Sequence, residues 1–214
     1  MNKRIVFATS NEGKMKEVRM ILADLGMEIL SMKQAGLQAD IVEDGTTFEE
    51  NARIKALAIQ KLCRQQALSD ENESGETIVL ADDSGLEVDF LGGAPGIYSA
   101  RYMGEETSYE VKNRAIIDKL SEAEGEERSA RFVCAIAAAL PDGEVLTARG
   151  TIEGQIGYEA AGEGGFGYDP IFYLPKRGLT TAQLLPEEKN EISHRGKALG
   201  AMKELLKGKL GDKR

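Results

Sequence analysis

The chain has 214 residues, 42% hydrophobic and 29% charged, the composition of an ordinary soluble globular protein and enough for one well-buried domain. A net charge of −9 argues against a general binder of nucleic acid or of anionic membranes, so any anionic ligand has to be drawn in by a local basic pocket. No apolar run is long enough to span a bilayer, so no membrane partner is expected. Cys63 and Cys134 sit in apolar surroundings without metal-type spacing and read as small core residues in a reducing cytosol. A strand pattern begins within a few residues of the N-terminus, so no signal peptide is expected and the expected location is cytoplasmic.

Residues 4–8 read as a strand, since Ile5, Val6 and Phe7 are strong strand formers. A helical pattern follows, with Met15, Val18, Leu22 and Leu25 at helical spacing and Gly26 as its stop. Between them lie Thr9, Ser10, Asn11, Glu12, Gly13 and Lys14. This strand-to-helix turn offers free backbone N–H groups and a positive helix end, which suit a phosphate. N-capping by Ser10 or Asn11 would explain the hydroxyl and the amide but not Lys14, so the segment reads as an anion site. It is not a Walker A loop, because the second glycine is missing.

Residues 27–31 read as a second strand, followed by polar loop material in which Glu43 is a candidate carboxylate for a metal. Thr47 and Glu50 fit a capping box that opens a helix to about Leu62, with Phe48, Ala52, Ala56, Ile59 and Leu62 as its buried stripe. Asn51 and Lys55, four apart, share another face of that helix. Residues 65–76 are polar and acidic with one leucine and read as a mobile surface insertion.

Residues 78–81 read as a short strand, buried on both faces, that runs into Asp82 and Asp83. Gly85 is expected to turn the chain sharply there. Both carboxylates would then lie beyond the carboxyl end of a strand, where open α/β sheets bind ligands. Adjacent carboxylates repel unless a cation or proton sits beside them. Neighbours on an extended chain point to opposite faces, so spacing leaves open which of the two takes a proton.

Residues 86–90 are expected to resume a strand, 92–96 to form a loop and 107–120 a helix. Residues 131–140 are apolar on both faces, as a central strand is, and Pro141, Asp142 and Gly143 turn it into a hairpin with 145–156. Residues 162–167 match G-x-G-x-x-G, but Pro170 and the strand-like 171–173 forbid the helix which that fingerprint must open. The stretch reads instead as a loop presenting an aromatic ring, Phe166 or Tyr168, and the carboxylate of Asp169. Pro186, Glu187, Glu188 and Lys189 look like the first turn of a short helix. Ser193, His194 and Arg195 precede a last helix carrying Ala198, Leu199, Met202, Leu205 and Leu206. His194 is the single histidine of the chain, and its place beside Arg195 gives it weight. No zinc spacing, nucleophile elbow, Ser/Cys–His pairing or internal repeat stands out. The expected organisation is one domain, 1–214, in two lobes around a central cleft lined by these loops.

Five stretches occur in order at compatible spacings across nearly the whole chain: FATSNEGK, EDGTTFEENA, ADDSGLEVDFLGGAPGIYSARY, GEGGFGYDPIF and EEKNEISHRGKAL. Together they resemble the inosine/xanthosine triphosphate pyrophosphatases, which hydrolyse non-standard purine nucleoside triphosphates. The 65–76 insertion and Asp44, where many relatives carry threonine, depart from the family's pattern without touching a matched functional position. The resemblance implies an α/β fold, a long twisted mixed sheet with flanking helices forming two lobes. It implies a Mg²⁺-dependent, homodimeric enzyme acting on a small-molecule purine nucleoside triphosphate (ITP, dITP, XTP) and not on a nucleic acid polymer. The products would be pyrophosphate and the nucleoside monophosphate, and the effect a cleansed nucleotide pool. By motif position, Thr9, Ser10, Asn11, Glu12, Gly13, Lys14 and Lys55 would hold the triphosphate, and Glu43 and Asp83 the metal. Asp83 would also accept the proton, and Ser84 would contact substrate. Phe166, Gly167, Tyr168, Asp169, Lys189, His194 and Arg195 would surround the base. A nucleotide sensor would need the phosphate loop and the aromatic clamp but not two metal carboxylates, so Glu43 and Asp83 favour an enzyme.

Overall fold

The β-branched and aromatic runs of the sequence become strands β1 (Arg4–Phe7), β2 (Glu28–Ser31), β3 (Thr77–Val88), β4 (Ser129–Ala139), β5 (Val145–Ile156), β6 (Phe172–Leu174) and β7 (Leu179–Thr180). In this computed structural model, which describes residues 3–9, 11–69 and 76–211, they form one sheet in the order β2-β1-β3-β4-β5-β6-β7. β1 pairs in parallel with β2 and β3, and β6 runs antiparallel to β5 and β7, so the sheet is mixed. The flanking helices are α1 (Glu12–Leu22), α2 (Phe48–Ser69), α3 (Tyr109–Lys119), α4 (Pro186–Ile192) and α5 (His194–Gly211). Among the described residues no helix is long and apolar enough to cross a membrane.

The chain divides into two compact units, Met1–Asp83 with Cys134–Gly150 and Gly196–Arg214, and Ser84–Val133 with Thr151–Arg195. Each has its own apolar core. In the first, Ile5, Phe7, Ile78 and Leu80 of the strands pack with Met15, Val18 and Leu22 of α1 and Ala198, Leu199, Met202 and Leu206 of α5. In the second, Leu86 and Val88 pack with Ile116, Phe132, Ile152, Ile171 and Phe172. The division falls inside strands: β3 passes from the first unit to the second between Asp83 and Ser84.

The largest departure from the sequence reading is at β3. A strand was expected to stop at Ala81 and turn at Gly85, yet residues 77–88 are a single strand. Ser-Gly is a turn signal only when nothing pairs with it, and here β4 and its neighbour β5, both long, carry the sheet past that point. The register explains where the acidic pair falls. Phe7, the last residue of β1, lies opposite Leu80, and Ala8 N–H still donates to the Leu80 carbonyl at 2.7 Å. Asp82 and Asp83 therefore lie beyond the end of β1 but in the middle of β3.

Other differences are smaller. α2 continues to Ser69, not Leu62, so 65–69 is helical, and 70–75 lies outside the described residues. Cys63, not Leu62, completes its buried stripe; Cys63 and Cys134 are both buried free thiols. Leu205 is exposed, and the α5 core face is Ala198, Leu199, Met202 and Leu206. Residues 89–91 form a 3-10 turn where a strand was expected to reach Phe90. The G-x-G-x-x-G match opens no α-helix; it leads into a 3-10 turn, Asp169–Ile171, and then β6.

One buried cation organises the second unit. Arg128 is 2% exposed and donates to the carbonyls of Ile156 (2.6 Å), Leu120 (2.7 Å), Gly157 (2.8 Å) and Ala123 (3.3 Å). The ring of Tyr158 covers its guanidinium at 4.2 Å. Arg128→Ala is expected to lower the unfolding free energy in urea by about 3 kcal/mol or more, since an orphaned buried polar group costs roughly 1–3 kcal/mol. Arg128→Lys should recover only part of this, because a single ammonium cannot reproduce the guanidinium fork; full recovery would refute the carbonyl-clamp account.

Candidate active site

In the first unit the turn after β1 is shaped by its own side chains. Thr9 Oγ1 accepts from Asn11 N–H at 3.1 Å, and Asn11 Oδ1 caps α1 by accepting from Lys14 N–H at 3.1 Å. The cap is thus Asn11; Ser10 lies outside the described residues. Glu12 and Gly13 occupy the exposed first turn, and a Cβ on Gly13 would sit 3.1 Å from Asn11 Oδ1. Lys14, unexplained by capping, turns its ammonium onto Asp82, 2.9 and 3.1 Å from the two carboxylate oxygens. Asp82 is 1% exposed, so a buried carboxylate meets its counter-ion there.

Asp83 points the other way, as strand alternation requires, toward α2. Asn51 Nδ2 donates to its Oδ2 at 3.0 Å. Lys55, one turn further along α2, reaches the Asp82 carbonyl at 3.0 Å and the Glu43 carboxylate at 3.0 Å. Burial pushes the Asp83 carboxyl up to about 6; Asn51 and Lys55 pull it down, and the charges of Glu43 and Asp82 raise it. A cavity of about 720 Å³, lined among others by Thr9, Lys33, Glu43 and Lys55, opens beside this cluster.

The donor chemistry of Glu43 and Asp83 fits Mg²⁺. Both offer hard carboxylate oxygens, and Mg²⁺ is usually held by one or two carboxylates with phosphate and water oxygens completing the shell. Among the described residues no group of three or more His, Cys, Asp or Glu side chains is gathered as a metal cage. The half-buried Asp83, with the charges of Glu43 and Asp82 nearby, is also a place where a cation relieves repulsion.

The second unit gathers the other candidates. Phe166 is 47% exposed at the tip of its loop, whereas Tyr168 is buried, with its hydroxyl donating to the Ser99 carbonyl at 2.7 Å and its ring edge-on to Tyr109. Phe166 is therefore the presented ring and Tyr168 a core residue. Asp169 is buried and accepts from Lys189 Nζ (2.6 Å), Phe166 N–H (2.7 Å) and Thr181 Oγ1 (2.8 Å). Gly165 makes this possible: a Cβ there would stand 2.2 Å from Asp169 Oδ2, and its φ is +73°. Gly167, at φ +68°, offers its carbonyl to Asn113 Nδ2 at 3.1 Å. Lys189 and Arg195 lie 5.2 and 5.6 Å from the Phe166 ring centre. Arg195 is 4% exposed and approaches the Ser84 hydroxyl at 3.5 Å, and the His194 ring stacks on Phe132 at 5.0 Å.

Sequence reasoning placed Asn51 beside Lys55 but assigned it no role, and it left Asp82 open. The usable signal was the four-residue spacing of two polar residues on a helix whose other face is apolar. The Lys14–Asp82 pair also changes what a Lys14 substitution does. Lys14→Met is expected to destabilise the fold by about 3 kcal/mol, because it strips the cation from a buried carboxylate. The double variant Lys14→Met with Asp82→Asn should regain most of that loss, as measured by urea unfolding. Equal, additive losses would show that the pair is not coupled.

The model of the Ham1 family matches residues 5–205. A dITP/XTP pyrophosphatase of Clostridium perfringens is 45% identical over 206 residues, covering 96% of this chain and 98% of that one. The protein of the same name from Exiguobacterium sibiricum is 44% identical, covering 98% and 100%. Among solved structures, the Staphylococcus aureus Ham1 protein superposes with a TM-score of 0.82 at 42% identity, covering 96% of this chain and 99% of that one. The resemblance drawn from five sequence stretches and the mixed sheet with flanking helices are both borne out. The chain belongs to the Ham1 family.

Proposed function

We propose that the protein is a Mg²⁺-dependent pyrophosphatase that hydrolyses ITP, dITP and XTP to the nucleoside monophosphate and pyrophosphate, clearing such nucleotides from the pool. We further propose that it does so in the cytoplasm as a homodimer. The observation that carries the reading is one cluster in which two carboxylates, Glu43 and Asp83, stand with the ammonium of Lys55, while Lys14 at the start of α1 pairs with the neighbouring Asp82. The names of the curated relatives support the substrate class. A sensor would have no use for the paired carboxylates.

Each residue then has a task. The ammonium groups of Lys14 and Lys55 and the open N–H groups at the start of α1 attract and hold the phosphates. Bound through Glu43 and Asp83, Mg²⁺ would offset phosphate charge and orient the attacking water. Water adds across the α–β anhydride; its oxygen joins phosphorus, the bridging bond breaks, and Asp83 accepts the proton. Asp82 is excluded from that task because both its oxygens face Lys14. Phe166 offers the purine a stacking surface. Arg195 and Lys189 carry only donors, which suit the six-oxo group of hypoxanthine and xanthine and not the amino group of adenine.

The test is a panel of nucleoside triphosphates scored for pyrophosphate release. ITP, dITP and XTP should be hydrolysed well and ATP poorly, since sites that hydrogen-bond a substrate group discriminate by roughly 10⁴-fold. Arg195→Ala should shrink that ratio. Comparable specificity constants for ATP and ITP in the unmodified protein would refute the base-recognition argument. Asp83→Asn should stay folded and lose about 10²–10⁴-fold in turnover; a folded variant near wild-type turnover would refute its role.

A further inference from the structure

We propose that Asn51 is a positioning residue: its side-chain amide locks the Asp83 carboxylate and the loop carrying Glu43 into one arrangement, and this sets the metal affinity of the pair. The inference rests on the metal assignment made above and assigns a residue that assignment leaves out.

Asn51 lies in the first turn of α2 and is 1% exposed. Its amide is used at both ends. Oδ1 accepts from Gly45 N–H at 2.9 Å, and Nδ2 donates to Asp83 Oδ2 at 3.0 Å. The orientation follows from chemistry: a backbone N–H can only donate, so the oxygen must face Gly45, and the NH₂ must face the carboxylate. Side chains with a single function cannot do both. Gly45 is part of the same device. A Cβ there would stand 2.7 Å from Asn51 Oδ1 and 2.8 Å from Glu50 Cβ, so only glycine lets the loop come this close.

Glu43 is two residues before Gly45, which ties one carboxylate of the pair to the other through a single amide. The loop is held a second time from the same helix, where Thr46 N–H and Oγ1 both donate to Glu50 Oε2 at 2.7 Å. That anchor supports the loop but touches neither Asp83 nor Glu43. Lys55 bridges Glu43 and the Asp82 carbonyl from one turn away. Lys55 competes with a metal for Glu43, whereas the Asn51 amide is neutral and fixes Asp83 without opposing a cation. Groups that orient metal ligands in this way typically cost 10–100-fold in metal affinity or activity when removed.

The experiment uses the full chain without nucleotide, titrated with Mn²⁺ as a paramagnetic stand-in for Mg²⁺, with the signal of free Mn²⁺ followed by electron paramagnetic resonance. Two variants break the link at different points. Asn51→Leu keeps the shape and removes the amide; Gly45→Ala keeps the amide and pushes the loop off it. Both are expected to weaken Mn²⁺ binding by about 10–100-fold, to need correspondingly more Mg²⁺ for half-maximal hydrolysis, and to leave the KM for ITP at saturating Mg²⁺ within about threefold. Mn²⁺ affinity equal to the unmodified protein in both variants would overturn the proposal. Loss of cooperative thermal unfolding in both would overturn it too, by showing that the amide serves the fold. An unmodified protein that binds no Mn²⁺ would overturn the metal assignment and the proposal with it, and that arm separates the two failures.

Discussion

Asp82 is a carboxylate with 1% of its surface exposed, and its stability in that place depends on the ammonium of Lys14 at 2.9 Å. Much else follows from this pairing. Lys14 sits in the first turn of α1, so the pair docks the start of that helix against β3, just past the point where β1 ends opposite Leu80. The strand's two-residue period then sends Asp83 to the other face, toward α2. Two identical side chains, adjacent in sequence, meet different surroundings: Asp82 faces the Lys14 ammonium, and Asp83 faces Asn51 and Lys55, with burial pushing its carboxyl up to about 6.

α2 supplies the counterpart. Its apolar stripe of Phe48, Ala52, Ala56, Ile59 and Cys63 is buried, which fixes the rotation of the helix and so aims Asn51 and Lys55 at β3. Thr47 caps the helix by accepting from Glu50 N–H at 3.1 Å, while the Glu50 carboxylate reaches back to the backbone of Thr47 and to the N–H and hydroxyl of Thr46. The stretch from Glu43 to Asn51 is therefore a folded connector in which Glu43 meets Lys55, Gly45 allows close approach, Thr47 caps the helix, and the Asn51 amide makes the link. Asp44, which departs from the family's pattern, is exposed and stands outside these contacts.

Much of this was legible beforehand, and the failures have a common cause. Helices with a strong apolar stripe and a chemical cap, α1 and α2, could be read because those signals are local. So could the 141–143 turn, closed as expected by Leu140 N–H to the Glu144 carbonyl at 2.9 Å. Gly85 was misread as a turn because strand pairing at distance overrode a local preference, and no window around Ser84-Gly85 contains β4 or β5. Tyr168 and Phe166 are two residues apart and equally aromatic; distant partners, Ser99 and Tyr109, make one of them core. The roles of the candidate site residues came from the family resemblance, but the link between Gly45, Asn51 and Asp83 joins an amide to groups 6 and 32 residues away. That is a tertiary fact.

The proposed base recognition raises a matching question in the second unit: which side-chain acceptors near Phe166 are already engaged? Asp169 is the acceptor at hand, and it is largely occupied. A carboxylate has roughly four lone-pair sites, and three donors with good distances occupy Asp169 from the Phe166 backbone, Thr181 and Lys189. It is also buried, and Gly165 packs against it too closely for any side chain to intervene. Lys189 is held in place by that ion pair and Arg195 by burial at the start of α5, so neither can swing aside to expose an oxygen. The tying of Asp169 thus does two things at once. It fixes a donor next to the exposed ring of Phe166, and it engages a buried carboxylate that the proposed base recognition would otherwise leave as an acceptor.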